Sequence, residues 1–240
     1  MGRLTLSNLV KIYGGKTVVN QVNIQVAQGQ VTGLLGPNGA GKTTAMRILC
    51  GLLMPTSGDI RVAGYDVSKK PEKVKRNIGY MSQKFSLYED MTVKENFRFY
   101  GGIYGMPGKA IRQKTGFYLD KLGLQEEKNT VISSLPLGWK QKLAFSVAMM
   151  HDPAIIFLDE PTGGVDPVTR RQFWEMIYAA AASGTTVFVT THYMDEAEYC
   201  QRVSIMVDGR IEALDSPARL KEHYKASSME EVFIRLARGT

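Results

Sequence analysis

The pattern of apolar and polar residues predicts strands in the first third of the chain. Residues 3–9 and 22–26 alternate apolar and polar positions, which is the period of a half-buried β-strand. Residues 59–63 show the same alternation after a Thr-Ser-Gly turn, and a short strand is predicted at 78–81. We therefore expect an antiparallel, β-rich N-terminal subdomain.

Helical patterns replace the strands in the middle of the chain. Thr92 and Glu95 have the spacing of a capping box, and residues 101–108 contain the glycines and proline that are expected to end the first helix. The helices predicted here are 92–100, 109–122 and 140–151. Because residues 84–150 show no convincing strand pattern, this segment is predicted to be a helical insertion.

Apolar runs return in the last third. Such runs are typical of strands that are covered on both faces, as in a parallel sheet. The predicted strands are 154–158, 186–190, 203–207 and 210–213. Asp208-Gly209 between the last two predicts a hairpin, and helices are expected over 170–182 and 217–238.

These elements together predict an α/β fold with a mixed, mostly parallel sheet. We expect a single domain over residues 1–240. Its core lobe is predicted at about 1–83 and 151–215, its helical lobe at about 84–150, and a C-terminal helical tail at about 216–240. No internal repeat or linker-like composition interrupts the chain.

Composition narrows the class of protein. The 240 residues are 44% hydrophobic, so a packed core is expected rather than extensive disorder. The net charge of +7 suits phosphate ligands, nucleic acid or an anionic membrane surface, but the basic residues are scattered, which favours an ordinary solvated surface. Cys50 and Cys200 lie beside apolar helical sequence and are predicted to be reduced core thiols. No apolar run approaches about 18 residues, so any membrane role is expected through a partner.

The strongest chemical motif follows the apolar strand 31–35 and precedes a helical stretch at 44–49. It consists of Gly36, Pro37, Asn38, Gly39, Ala40, Gly41, Lys42 and Thr43, followed by Thr44. The run fits G-x-x-x-x-G-K-[ST] at every fixed position. Glycines let backbone N–H groups turn toward an anion, and the helix start adds unpaired N–H groups. Lys42 can reach the β- and γ-phosphates and the Thr43 hydroxyl can ligate Mg²⁺, so the motif predicts a P-loop NTPase core.

A carboxylate pair follows the apolar strand of residues 155–158. Asp159, at the tip of a strand beside a phosphate loop, can hold Mg²⁺ through water. Glu160 can orient or deprotonate an attacking water. On its own, the same pair could simply end a strand.

The ordered set of motifs resembles the nucleotide-binding subunit of ATP-binding-cassette (ABC) transporters over essentially the whole chain. Residues 36–44 resemble its Walker A loop, 155–160 its Walker B strand and 163–167 its D-loop. The resemblance implies ATP and Mg²⁺ as ligands. It assigns Glu160 and His192 to catalysis, Tyr13 to adenine stacking, Gln83 to Mg²⁺ together with Thr43 and Asp159, and Gly138 to nucleotide binding. Taken singly, Tyr13 could be an ordinary surface aromatic residue, Gln83 would carry no information, and His192 could merely cap a strand.

One motif departs from the family pattern. Where the family usually has L-S-G-G-Q, this chain has residues 135–139, Leu-Pro-Leu-Gly-Trp. The family's serine and N–H groups meet the γ-phosphate held by the opposite subunit, whereas Pro136 has neither hydroxyl nor N–H. Gly138 still offers an N–H at a helix start. In its Leu-Pro-Leu-Gly form the segment resembles the signature of some bacterial drug-exporter ATPases, and residues 87–90 and 194–198 resemble that branch too.

The resemblance implies two such domains that sandwich two ATP molecules head to tail and drive a membrane permease. The weakened signature predicts that the second domain is a different chain or cassette. The aromatic residues within 85–104 could dock the permease or could all be core. The expected location is the cytoplasmic face of the inner (plasma) membrane, reached through the permease, and no nucleic acid is expected.

A soluble ABC-type ATPase acting on ribosomes or nucleic acid is the alternative, although the chain has neither heptads nor a basic arm. A GTPase is disfavoured because no N-K-x-D sequence is present.

Overall fold

The structure is a computed structural model that describes residues 3–83 and 87–238. Phe85, an aromatic residue of the predicted docking segment, lies outside the described residues. The strands are β1 (Leu4–Tyr13), β2 (Lys16–Val26), β3 (Val31–Leu35), β4 (Ser57–Val62), β5 (Tyr65–Asp66), β6 (Ile78–Met81), β7 (Ile155–Asp159), β8 (Thr186–Thr191), β9 (Arg202–Val207) and β10 (Arg210–Asp215). The helices are α1 (Lys42–Leu49), α2 (Pro71–Asn77), α3 (Val93–Ile103), α4 (Gly108–Leu122), α5 (Leu137–Met149), α6 (Pro167–Ala182), α7 (Pro217–His223) and α8 (Met229–Arg238). Within the described residues, no helix is both long enough and apolar enough to cross a membrane.

The main sheet is mixed and mostly parallel, which confirms the predicted fold class. Its six strands have the order β10-β9-β3-β8-β7-β6. The neighbours from β9 to β6 pair in parallel, and β10 pairs antiparallel with β9 through the predicted turn at Asp208-Gly209. Every residue of β3, β7 and β8 is buried, as the continuous apolar runs indicated.

A second, antiparallel sheet forms the predicted β subdomain, with the order β2-β1-β4-β5. Its first hairpin is longer than predicted, because β1 continues to Tyr13 and β2 already begins at Lys16. Gly14 and Gly15 both have positive φ and close this turn. The outer part of the hairpin is largely exposed, so its side chains lack the alternation that marked residues 3–9 and 22–26.

The two faces of the main sheet bury two hydrophobic clusters. Ile155 and Phe157 of β7 point into a cluster shared with α1 and the antiparallel sheet. Ile156 and Leu158 point the other way, into a cluster that continues through α3, α4, α5 and α6. The helical segment therefore packs onto the same core as the sheet. Both cysteines are buried and unpaired, as predicted.

Several helix limits differ from the prediction, for local physical reasons. α3 continues through Gly101 and Gly102 to Ile103 instead of stopping at residue 100. Gly101 is buried where a Cβ atom would lie 2.7 Å from the Ile111 side chain, so this glycine allows α3 and α4 to pack closely rather than ending the helix.

Two later helices begin three residues earlier in the chain than predicted. α5 begins at Leu137 rather than residue 140, immediately after Pro136. α6 begins at Pro167 rather than residue 170, because the Asp166 carboxylate accepts hydrogen bonds from the N–H groups of Val168 and Thr169. α2 was not predicted, and the predicted C-terminal helix 217–238 is two helices.

Candidate active site

Four neighbouring parallel strands end at one edge of the main sheet, and each is followed by a predicted site residue. The phosphate loop follows β3, His192 follows β8, Glu160 follows β7 and Gln83 lies two residues beyond β6. Because the carboxyl ends of parallel strands meet at one edge, residues separated by more than a hundred positions lie close together.

The phosphate loop leads directly into α1, and its glycines permit that path. Gly41, the residue before the helix, has φ +102°, and a Cβ atom there would lie 2.6 Å from the Val18 carbonyl oxygen. The Ala45 N–H donates to the Gly41 carbonyl at 2.9 Å. The preceding N–H groups, at the helix start, are those that helix geometry leaves without intrahelical partners. With the positive end of the helix dipole, they form an anion-binding site.

Lys42 is buried against this loop. Its side chain is 4% exposed, and its Nζ donates to the carbonyl oxygens of Gly36 at 2.8 Å and Pro37 at 3.1 Å. Burial lowers the pKa of Lys42, and the negative charges of Glu160 and Asp159 only partly oppose this effect. A cation with so little compensation fits the additional negative charge of a polyphosphate.

Asp159 is a buried carboxylate at the end of β7. It accepts a hydrogen bond from the Thr190 hydroxyl at 2.5 Å. Burial raises the pKa of Asp159, as does the charge of Glu160, while hydrogen bonds from Thr190 and Thr43 and the charge of Lys42 act in the opposite direction. Since the carboxylate form is disfavoured as it stands, the pairing of Asp159 with the Thr43 hydroxyl fits a hard divalent cation such as Mg²⁺.

Glu160 lies at the centre of the cluster. Its N–H donates to both the carbonyl and the hydroxyl oxygen of Thr190, each at 3.1 Å, and its φ is +50°. Its Oε2 accepts from Gln83 Nε2 at 2.8 Å and lies 3.0 Å from His192 Nδ1, although the latter contact lacks hydrogen-bond geometry. Its Oε1 lies 3.7 Å from Lys42 Nζ. The carboxylate is thus held between an amide, an imidazole and an ammonium group.

A cavity of about 350 Å³ opens beside Glu160 and has space for several water molecules. Gln83 and His192 line it, together with Leu137 and Gln141 from α5. The start of α5 therefore contributes to the same cavity as the strand ends, which the sequence motifs did not predict.

Tyr13 lies outside this cluster. It is 46% exposed at the tip of the β1–β2 hairpin, with Lys11 Nζ 4.8 Å from its ring centroid. Strand β2 lies against the phosphate loop through the Val18 carbonyl beside Gly41. The hairpin therefore carries an exposed aromatic ring next to the element that would hold the phosphates.

Gly138 also lies outside the cluster. It lines a separate groove with Gly164 and Asp166, and a Cβ atom at Gly138 would lie 2.6 Å from Thr169 Cγ2. Close packing of α5 against α6 is thus a second reason for glycine at this position.

Two residues of the site, Thr190 and Gln141, belong to no motif that the sequence singled out. Thr190 could have been found, because a hydroxyl residue near the end of an apolar strand lies at the same sheet edge as Asp159. Gln141 carried no signal, since a polar residue in a predicted helix is normally exposed.

Comparison with known proteins gives consistent matches. The family model described as "ABC transporter" matches residues 19–163. The probable multidrug ABC transporter ATP-binding protein YbhF of Escherichia coli (strain K12) is 45% identical over 233 residues. That alignment covers 95% of this chain and 40% of YbhF, so the chain spans less than half the length of this relative.

Two solved structures are similar in fold over nearly the whole chain. An ATP-binding subunit of an ABC transporter has a TM-score of 0.88 at 27% identity, covering 98% of this chain and 99% of the other. The ATP-binding cassette MJ0796, solved as a dimer in a post-hydrolysis state with ADP and Pi, has a TM-score of 0.80 at 26% identity, covering 89% and 98%.

Proposed function

Because this chain belongs to the ABC transporter family as an ATP-binding domain, we propose that it hydrolyses Mg-ATP to power a membrane permease. The observation that carries the proposal is the position of the Glu160 carboxylate, 2.8 Å from Gln83 Nε2, 3.0 Å from His192 Nδ1 and 3.7 Å from Lys42 Nζ. A carboxylate in that position, beside an anion-binding helix start, suits attack of water on a terminal phosphate.

Each residue has a separate role in the proposed reaction. Lys42 exchanges its carbonyl partners for the β- and γ-phosphates, and the N–H groups at the start of α1 bind the same anion. Glu160 orients the water and accepts its proton as the water oxygen bonds to the γ-phosphorus and the bond to ADP breaks. His192 contacts the γ-phosphate, and Tyr13 stacks on the adenine.

Thr43, Asp159 and Gln83 would hold Mg²⁺. The ion would offset negative charge on the phosphates. The structure places Thr43 next to Asp159 but pairs Gln83 with Glu160, so Gln83 would have to exchange that carboxylate for the ion. The fit of these residues to Mg²⁺ rests on the carboxylate of Asp159, because burial without a cation disfavours its ionised form.

The proposed cargo class follows from the relative named a multidrug transporter protein. We propose a drug or other amphipathic molecule, exported through a permease that holds this chain at the cytoplasmic face of the inner (plasma) membrane. Tyr88, Phe99 and Ile103 support such docking, since they are 45%, 38% and 61% exposed. Phe97, by contrast, is fully buried core, so only part of the aromatic segment is available for a partner.

The proposed partner domain is a second ABC ATPase domain, arranged head to tail and different in sequence. Support comes from the signature segment, where Pro136 supplies no donor, and from a structural relative that was solved as a dimer. A partner with an ordinary signature would complete the ATP site of this chain.

The central test is Glu160→Gln, which keeps the side-chain size and removes the base. Hydrolysis should slow by roughly 10²-fold or more while ATP affinity is retained, because only the proton acceptor is lost. Glu175→Gln is the matched control, since Glu175 is exposed on α6 and lies 3.9 Å from Arg171. Near-wild-type turnover of Glu160→Gln would refute the assignment.

The partner is tested by changing Pro136-Leu137 to Ser-Gly in the Glu160→Gln background. The added donors are each worth about 0.5–1.5 kcal/mol, so ATP-dependent self-association should strengthen. Light scattering with Mg-ATP measures it. A stable ATP-bound homodimer from the unchanged signature would refute the need for a different partner.

A further inference from the structure

Gln141 is a buried side chain to which the proposed reaction gives no role. It lies on α5, is 5% exposed and lines the cavity beside Glu160. Its Nε2 donates to the Gly163 carbonyl oxygen at 3.1 Å. Its Oε1 is buried and has no hydrogen-bond partner within residues 3–83 and 87–238.

Gly163 connects Gln141 to the catalytic carboxylate. The Gly163 N–H donates to the Glu160 carbonyl at 3.3 Å and closes the turn that follows β7. This turn begins at Glu160 in the left-handed φ region, which a residue other than glycine rarely adopts unless its surroundings hold it there. Thr190 anchors the start of the turn and Gln141 anchors its end.

We propose that Gln141 is a positioning residue for Glu160. It fixes the turn at residues 160–163 so that the Glu160 carboxylate stays between Gln83 and His192. Two consecutive hydrogen bonds thereby link the helix that carries the signature segment to the base within one subunit. The inference rests on the proposed ATPase function.

The unpaired oxygen argues against a role in stability alone. A buried acceptor without a partner costs free energy, so an apolar side chain of similar length would serve folding at least as well. An amide that lies beside the cavity and whose nitrogen holds the Glu160 turn serves the geometry of the site instead.

The test compares the ATPase kinetics of wild type with those of Gln141→Met, which keeps the length and removes the amide. We expect kcat to fall about three- to tenfold, the effect of one neutral hydrogen bond, with KM and Kd for ATP unchanged within about twofold. Ser146→Ala is the matched control on the same helix, since the buried Ser146 hydroxyl donates to the Lys142 carbonyl. The melting temperature of Gln141→Met should be no lower than that of this control.

A double variant shows whether Gln141 acts through Glu160. In the Glu160→Gln background, Gln141→Met should cause no further loss of kcat, because the positioned group is already gone. Unchanged kcat in Gln141→Met, a loss that follows the melting temperature, or additive losses in the double variant would each overturn the inference. If Gln141→Met matches wild type while Glu160→Gln is inactive, only the inference fails, whereas an inactive wild type would refute the proposed function as well.

Discussion

Replacing Lys42 by Met should separate ATP binding from folding stability. The substitution keeps a linear apolar chain and removes the ammonium group. The structure predicts that the variant loses affinity for ATP, because Lys42 is a buried cation at the phosphate loop and only 4% of its side chain is exposed. A charge-assisted contact is worth about 1.5–3 kcal/mol, which corresponds to an affinity decrease of about 10- to 150-fold.

For stability, the structure predicts no comparable loss. Burial lowers the pKa of Lys42, so the folded state holds the proton less tightly than the unfolded chain does. At any pH below the ordinary lysine value of 10.5, the charged side chain therefore reduces the free energy of unfolding. Methionine removes that cost but also removes the bonds to the Gly36 and Pro37 carbonyls. A net change within 1 kcal/mol would move the melting temperature by only about 2–4 °C.

Calorimetric titration with Mg-ATP and thermal melts without nucleotide measure the two effects separately. Lys142→Met is the matched control, because Lys142 Nζ also donates to a neutral oxygen, Gln172 Oε1 at 2.6 Å, away from the phosphate loop. Unchanged ATP affinity in Lys42→Met would refute the phosphate role. Lost affinity together with a melting temperature lowered by ten degrees or more would refute our account of the buried charge.

Two further predictions concern Asp159 and Gly101. Asp159→Asn keeps an oxygen for the Thr190 hydroxyl and removes a carboxylate whose pKa is raised by burial. The nucleotide-free variant should melt above wild type at neutral pH. The gap should narrow as the pH falls and close below the ordinary aspartate value of 3.8, where Asp159 is protonated in both the folded and the unfolded state. A gap that widens in acid would contradict this. Gly101→Val should lower the urea-measured free energy of unfolding by about 1–3 kcal/mol more than Gly102→Val, because a Cβ at Gly101 meets Ile111 whereas one at Gly102 meets nothing within 4 Å.

The strand edge of the site could be predicted from the sequence because apolar runs mark where buried strands end. Asp159 is the last residue of β7, and His192 directly follows β8. Parallel pairing of these two strands then brings both residues to one edge of the sheet. The phosphate loop was predictable because its spacing is tied to backbone geometry.

Contacts made by helix starts and glycines could not be predicted in the same way. Gly101 has the usual sequence signal of a helix end, yet the approach of Ile111 keeps it within α3. Gln141 has the pattern of a surface residue, yet α5 places it against the Gly163 carbonyl. Both depend on how two distant segments pack, and a local pattern contains no information about that distance.

The start of α5 sharpens the argument for a different partner domain. Trp139 and Lys140 already donate their N–H groups to the Pro136 carbonyl, at 3.0 and 3.1 Å. Since proline has no N–H, the first turn offers a partner's phosphate only the N–H groups of Leu137 and Gly138. Glycine at 138 is also required by the contact with Thr169, so its presence is not evidence for phosphate binding. The strength of the proposed contact with a partner's phosphate therefore depends on how closely the phosphate can approach the N–H group of Leu137. Leu137 also lines the cavity beside Glu160 of its own subunit.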